Sequence, residues 1–208
     1  MNRYGNETDG FRAAAREDSP DRHGNAHDMA FGQQEAARTP QELYEALQKI
    51  MAQPGDAYAV ITGSREFPDI NGRIDFYPLW GGSIAAVAVD GLPVPEKSSC
   101  MAAFHGFHIH QGSSCAPGQD GRENSQMPFP FAGLHYNPGN CQHPQHVGDL
   151  PPLMANNGFA LSIFFTDRFT PQEAAGHTVI IHQSPDDFTT QPSGNSGTMI
   201  ACGEIRES

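Results

Sequence analysis

Positive charge is scarce in this chain: 12 lysines and arginines stand against 24 aspartates and glutamates, for a formal net charge of −12. So acidic a surface repels phosphate backbones and anionic headgroups, which argues against nucleic acid and against a membrane surface as partners. No apolar run reaches the roughly 18 residues that span a bilayer, so no transmembrane helix is expected. The first thirty residues lack the apolar core of a secretion signal. As the sequence stands this places the protein in the cytoplasm; a removed leader would place it in the periplasm or outside the cell. The four cysteines, Cys100, Cys115, Cys141 and Cys202, include no Cys-x-x-Cys pair, so neither a zinc ribbon nor a thioredoxin-type motif is indicated. Two disulfides, one disulfide with two free thiols, or none are all open at this point.

Glycine (22) and proline (17) are abundant, which favours many turns and few long helices. Residues 1–37 are polar, mixed in charge and aperiodic, and read as a disordered tail. Residues 38–55 hold one amphipathic helix and a linker. Thr39 caps it, Pro40 takes its first position, Glu42 completes a Thr-x-x-Glu box, and Pro54-Gly55 end it. Its stripe of Leu43, Leu47, Ile50 and Met51 predicts docking on the domain that follows, with a partner-binding helix as the alternative. Over 56–208 the pattern changes to short β-rich runs: AYAVITG, GRIDFYPLW, SIAAVAVDG, FHGFHIHQ, ALSIFFTD, HTVIIHQ and TMIACGEI. Such a series predicts an all-β domain, an antiparallel sandwich or barrel, interrupted by two long connections near 112–158 and 184–197. Connections of that length are usually functional or disordered.

Histidines concentrate at those connections. Strand alternation puts His108 and His110 on one face and Phe107 and Ile109 on the other. The pair is either the polar outer face of an amphipathic strand or half of a metal site. The first connection contains GLHYNPGNCQHPQHVGDL, with His135, His143, His146 and Asp149, a nitrogen and carboxylate set suited to tetrahedral zinc. A histidine-rich polar loop is the plain alternative. His177 and His182 are five apart, so only one of them should join a site. An imidazole set drawn from strands suits copper, and Asp186 is placed to accept from the remaining ligand N–H groups.

GFHIH, GLHYNP, HVGDL, HQSPDD and GNSGTMIACGEI, in this order, resemble the copper/zinc superoxide dismutases over roughly Asp56 to Ile205. The resemblance implies a Greek-key β-barrel of about eight strands. It further implies copper held by His108, His110, His135 and His182, and zinc held by His135, His143, His146 and Asp149. His135 would bridge the metals and donate a proton, Asp186 would bond His108 and His143, and Cys115 and Cys202 would form a disulfide. The implied reaction is dismutation of superoxide to dioxygen and hydrogen peroxide by a copper redox cycle, with a homodimer compatible with the family.

The chain also departs from the family. Its Gly-Asn-x-Gly-x-Arg-x-Ala-Cys motif reads GNSGTMIAC, so Met199 stands where the family docks the superoxide anion with arginine, and no Lys or Arg occurs from 169 to 205. A slowed enzyme is therefore expected; the alternative is a non-enzymatic copper/zinc-binding protein for storage or delivery, with Met199 as a soft copper donor. A third reading is a metal-stabilised interaction module using the helix. Only Pro144 and Gln145 separate His143 from His146, a shorter stretch than the family usually has. Cys141 is a free thiol, a partner of Cys100, or a substitute zinc ligand. MPFPF (127–131) suggests cover for the barrel or a subunit contact, and His23, His27, His105 and His177 read as ordinary residues, the first two as weak copper binders at most.

Overall fold

A computed structural model describes residues 39–95, 103–117 and 128–208. The polar tail of 1–37 with His23 and His27, and also Cys100 and Met127, lie outside the described residues. Helix α1 spans Pro40–Met51. Thr39 is extended, its Oγ1 accepts the Glu42 N–H at 3.2 Å, and its hydroxyl donates to the Glu42 carboxylate at 3.0 Å. Leu47, Ile50 and Met51 pack on Tyr77, Leu79 and Ile84, so the helix docks on the domain it precedes.

The β domain consists of β1 (Ala57–Gly63), β2 (Asn71–Leu79), β3 (Gly82–Asp90), β4 (Ala103–His105), β5 (Phe107–His110), β6 (Leu153–Ala155), β7 (Ala160–Thr166), β8 (Thr178–His182), β9 (Met199–Glu204) and β10 (Arg206–Glu207). An eight-stranded sheet runs β5-β8-β9-β1-β2-β3-β7, with β10 beside β1, and every pairing in it is antiparallel. The small β4–β6 sheet curls this into a barrel: β4 leads through Gly106 into β5, and β6 turns at Asn156–Phe159 into β7. Ile61, Ile74, Phe76, Val87, Phe107, Ile109, Val179, Ile181 and Ile200 fill the interior.

Several features differ from the sequence expectation. FHGFHIHQ is two strands, because Gly106 leaves the ladder to donate its N–H to Ser184 O and lies against Ser196, where a Cβ would stand 2.6 Å from the hydroxyl. The polar-outer-face reading of β5 also fails: all four of its residues are buried, the histidines as fully as Phe107 and Ile109. The three-residue β6, the two-residue β10 and a short helix α2 (Pro171–Ala174) were not anticipated. Alternation cannot be read in runs that short. The signal for α2 was present, however: Thr170-Pro-Gln-Glu173 repeats the Thr39-Pro-Gln-Glu42 start of α1, here with a complete capping box.

What positions the site is the first long connection. Rather than standing off the barrel, it pairs with β5: Tyr136 N–H donates to Ile109 O at 2.8 Å, Ile109 N–H to Gly148 O at 2.8 Å, and Gln111 N–H to Leu134 O at 2.8 Å. Isolated bridges set His110 opposite His135 and His108 opposite Asp149.

Candidate metal centre

Two ligand groups meet on the outward face of β5, beneath the first long connection. In the first, His108 and His110 of β5, His135 of the paired loop and His182 at the end of β8 each offer one atom, all within 4.8 Å of one another. A register shift between Ile181 and His182 and the bond from His182 N–H to Gly106 O carry the last imidazole past the end of β5. Three of the rings use one nitrogen on a protein oxygen: His108 Nε2 on Asp186 Oδ2 at 2.8 Å, His110 Nδ1 on Gly133 O at 2.8 Å and His182 Nδ1 on Gly197 O at 3.2 Å. A carbonyl or carboxylate only accepts, so those nitrogens carry the hydrogens. The opposite nitrogens, His108 Nδ1, His110 Nε2 and His182 Nε2, are left as lone pairs, and with His135 Nε2 they are buried without any hydrogen-bond partner. Buried polar atoms are seldom orphaned; four converging imidazole nitrogens fit a copper ion.

Burial and the neighbouring imidazoles push His110 well below the ordinary histidine range and His182 down to about 3, the latter chiefly through burial and then His108. Burial also lowers His108, against the upward pull of Asp186. These three rings therefore favour neutral imidazole, the form that binds metal.

In the second group, Asp149 Oδ1 lies 2.8 Å from His135 Nδ1 and 3.2 Å from His146 Nδ1, its Oδ2 lies 3.1 Å from His143 Nδ1, and His146 Nδ1 is 3.4 Å from His135 Nδ1. Four ligands about 2.0–2.1 Å from a tetrahedral zinc would stand about 3.3 Å apart, so these separations match the edges of such a shell. The two-residue spacing between His143 and His146 thus still assembles the group. Burial opposes ionisation of Asp149, but the hydrogen bond and charge of His135, with those of His143 and His146, bring it down to about 2. His135 belongs to both groups, one nitrogen to each. Asp186 ties them from behind: Oδ2 takes His108 Nε2, and Oδ1 accepts from His143 Nε2 at 2.9 Å and from Phe188 N–H at 2.7 Å.

The remaining candidates fall outside both groups. Cys115 and Cys202 form a disulfide. Cys141 is free and exposed and belongs to neither ligand group; its pairing with Cys100 falls outside the described residues. Met199 is half-buried at the start of β9 and packs on Phe129, Ala132, Ile180 and Cys202; Phe129 of the MPFPF run covers the barrel there, while Phe131 is exposed. His177 is half-buried and lies against the Tyr136 ring, centroids 4.1 Å apart. His105 is buried with Nδ1 on His182 O at 2.9 Å, a role its sequence did not suggest. Sequence reasoning also missed the orienting carbonyls of Gly133 and Gly197, since a backbone oxygen carries no residue signature.

A β-barrel carrying two buried, imidazole-rich metal-ion groups that share one histidine defines a binuclear metalloprotein. The family described as Copper/zinc superoxide dismutase (SODC) matches residues 71–205, and the chain belongs to that family, whose cofactors are copper and zinc. Superoxide dismutase [Cu-Zn] of Deinococcus radiodurans is 33% identical over 147 residues, covering 64% of this chain and 76% of that protein. The enzyme of the same name from Photobacterium leiognathi is 34% identical over 122 residues, covering 54% and 69%. The solved Cu/Zn superoxide dismutase from Brucella abortus superposes with a TM-score of 0.58 at 28% identity, covering 71% of this chain and 98% of that one.

Proposed function

We propose that this protein dismutates superoxide, 2 O2•− + 2 H+ → O2 + H2O2, at a rate reduced by Met199. The observation that carries the reading is the set of four partnerless buried nitrogens, one of them on a histidine that also serves the second group. A copper ion there supplies one-electron exchange in both directions, and a zinc ion fixes and polarises the shared imidazole. His108, His110 and His182 hold the copper as neutral imidazoles, each locked in its tautomer by Asp186, Gly133 O or Gly197 O. His143, His146 and Asp149 hold the zinc. His135 keeps its Nδ1 toward the zinc group and is the residue that takes and delivers a proton at Nε2. Asp186 orients one ligand of each metal.

Substrate guidance is the weak part. A charge-assisted hydrogen bond is worth about 1.5–3 kcal/mol, so arginine lost at 199 lowers the rate by about 10- to 150-fold, and absent steering lowers it further. The packing of Met199 in an apolar cluster supports a space-filling role for it over that of a copper donor. The Cys115–Cys202 disulfide supports an oxidising compartment, periplasmic or extracellular, over the cytoplasm.

The test is the dismutation rate per copper, measured by pulse radiolysis on fully metallated protein beside Met199→Arg. We expect a rate within about three decades of the diffusion limit, rising in the variant. A rate equal to buffer in both proteins at full copper loading would sink the enzyme reading and leave metal handling as the function.

A further inference from the structure

The zinc group is built on a stretch with little means of holding its own shape. His143 and His146 are separated by Pro144 and Gln145 alone, and three of the four ligands lie within seven residues, 143–149. Two side chains from elsewhere in the fold hold the backbone of that stretch. Arg168, in the connection from β7 to α2, directs Nη1 to the carbonyls of Pro144 at 3.3 Å, His146 at 3.0 Å and Asp149 at 3.3 Å. One guanidinium nitrogen thereby gathers three carbonyls of the ligand stretch to a single point. Gln191, from the second long connection, takes both main-chain groups of His143: its Oε1 accepts the N–H at 3.0 Å and its Nε2 donates to the C=O at 2.7 Å. The amide acts there as a neighbouring strand would.

Both braces are themselves anchored. Arg168 precedes Phe169, a fully buried core residue whose carbonyl accepts from Ser83 Oγ at 2.9 Å, and its own N–H donates to Thr166 Oγ1 at 3.2 Å. Gln191 follows a turn closed by Asp187, which accepts the N–H groups of Thr189 at 2.9 Å and Thr190 at 2.8 Å, and by Gly194 N–H on Thr190 O at 2.7 Å. Neither side chain contributes an atom to a ligand group.

Resting on the zinc reading above, the geometry points to Arg168 and Gln191 as positioning residues that set zinc retention by pre-ordering the backbone of 143–149. The stretch is held before metal arrives, so less freedom is lost on binding and all three ligands release together rather than one by one. The copper group, with three of its four histidines on β5 and β8, does not depend on them. Partners outside the ligand shell typically govern 10- to 100-fold in metal affinity.

The test uses the full chain and its variants Arg168→Met, Arg168→Lys, Gln191→Ala and Gln191→Glu. Zinc affinity is measured by chelator competition, the zinc group's geometry by the visible spectrum of bound cobalt(II), and the copper group by copper affinity and copper(II) EPR. Arg168→Met and Gln191→Ala should each weaken zinc by about 10- to 100-fold and broaden the cobalt spectrum, leaving copper affinity and EPR near those of the unaltered chain. Arg168→Lys should recover part of the loss, since an ammonium still donates. Where the larger truncations fail to fold, Arg168→Lys and Gln191→Glu are compared directly: lysine loses part of the brace and glutamate loses the donor to His143 O, so both should bind zinc more weakly. Unchanged zinc affinity, or parallel loss of copper and zinc, would overturn the positioning role. An unaltered chain that takes up no cobalt or zinc at this group would overturn the zinc reading itself, and this inference with it.

Discussion

Gly194 lies directly against the Asp186 carboxylate. A Cβ on Gly194 would run into Oδ1 and stand 2.7 Å from His143 Nε2, and its φ of +66° lies in the region that side chains avoid. Glycine here is what lets one carboxylate reach a histidine of each metal group.

Gly194→Ala should therefore disturb both metals through a residue that touches neither. The backbone strain costs about 1–2 kcal/mol, and displacement of Asp186 should weaken zinc by about 10- to 100-fold, with a smaller loss for copper through His108. Chelator competition on the purified variant checks this; wild-type affinity for both metals would show that Asp186 does not orient them.

Ionic strength separates a steered enzyme from an unsteered one. With a net charge of −12 and no cation from 169 to 205, the dismutation rate should stay flat or rise as salt increases, because screening removes repulsion rather than attraction. In Met199→Arg the rate should be higher and should fall with salt. Pulse radiolysis across about 10–200 mM salt decides it, and a steep fall in the unaltered protein would reveal a guiding cation elsewhere.

The Cys115–Cys202 bond spans 87 residues and ties the first long connection to β9. On the chain-entropy account, closing a loop of that length stabilises the fold by about 4–5 kcal/mol. Cys115→Ser should lower the unfolding free energy of the metal-free protein accordingly, with a steeper urea slope because the unlinked unfolded chain exposes more surface. A loss below about 1 kcal/mol would mean that the unfolded chain is already compact in this region.

Asp187 holds the turn before Gln191 and has its carboxyl depressed well below its ordinary 3.8, by hydrogen bonds from the Thr190 side chain, the Thr190 N–H and the Thr189 N–H, in that order. Its carboxylate is favoured in the folded state, so its contribution is present in full above pH 3.8 and is lost as pH falls through the lower folded value. Amide exchange at Thr189 and Thr190 should remain protected to below pH 3.8, and Asp187→Ala should remove that protection at every pH. Equal protection in the variant would place the order of the turn in its backbone bonds alone.

Much of this protein is written locally. Alternation aims His108 and His110 the same way because successive strand residues point to opposite faces, and the Thr-Pro-Gln-Glu starts of α1 and α2 encode caps that close within one turn. The residues of both groups stand in motifs that resemble the copper/zinc superoxide dismutases, and the barrel could be read from β-rich runs bounded by turn residues.

Other properties were decided only when distant segments met. Which nitrogen of each imidazole is left for metal depends on an acceptor 15 residues away for His182, 23 for His110 and 78 for His108. The burial of both faces of β5 depends on the loop that pairs with it, and the zinc stretch is shaped by Arg168 and Gln191, which carry no motif. Residue identity sets what a side chain can bind, and local backbone geometry sets where it points. Its free lone pair and the order of its backbone belong to the neighbours that folding brings to it.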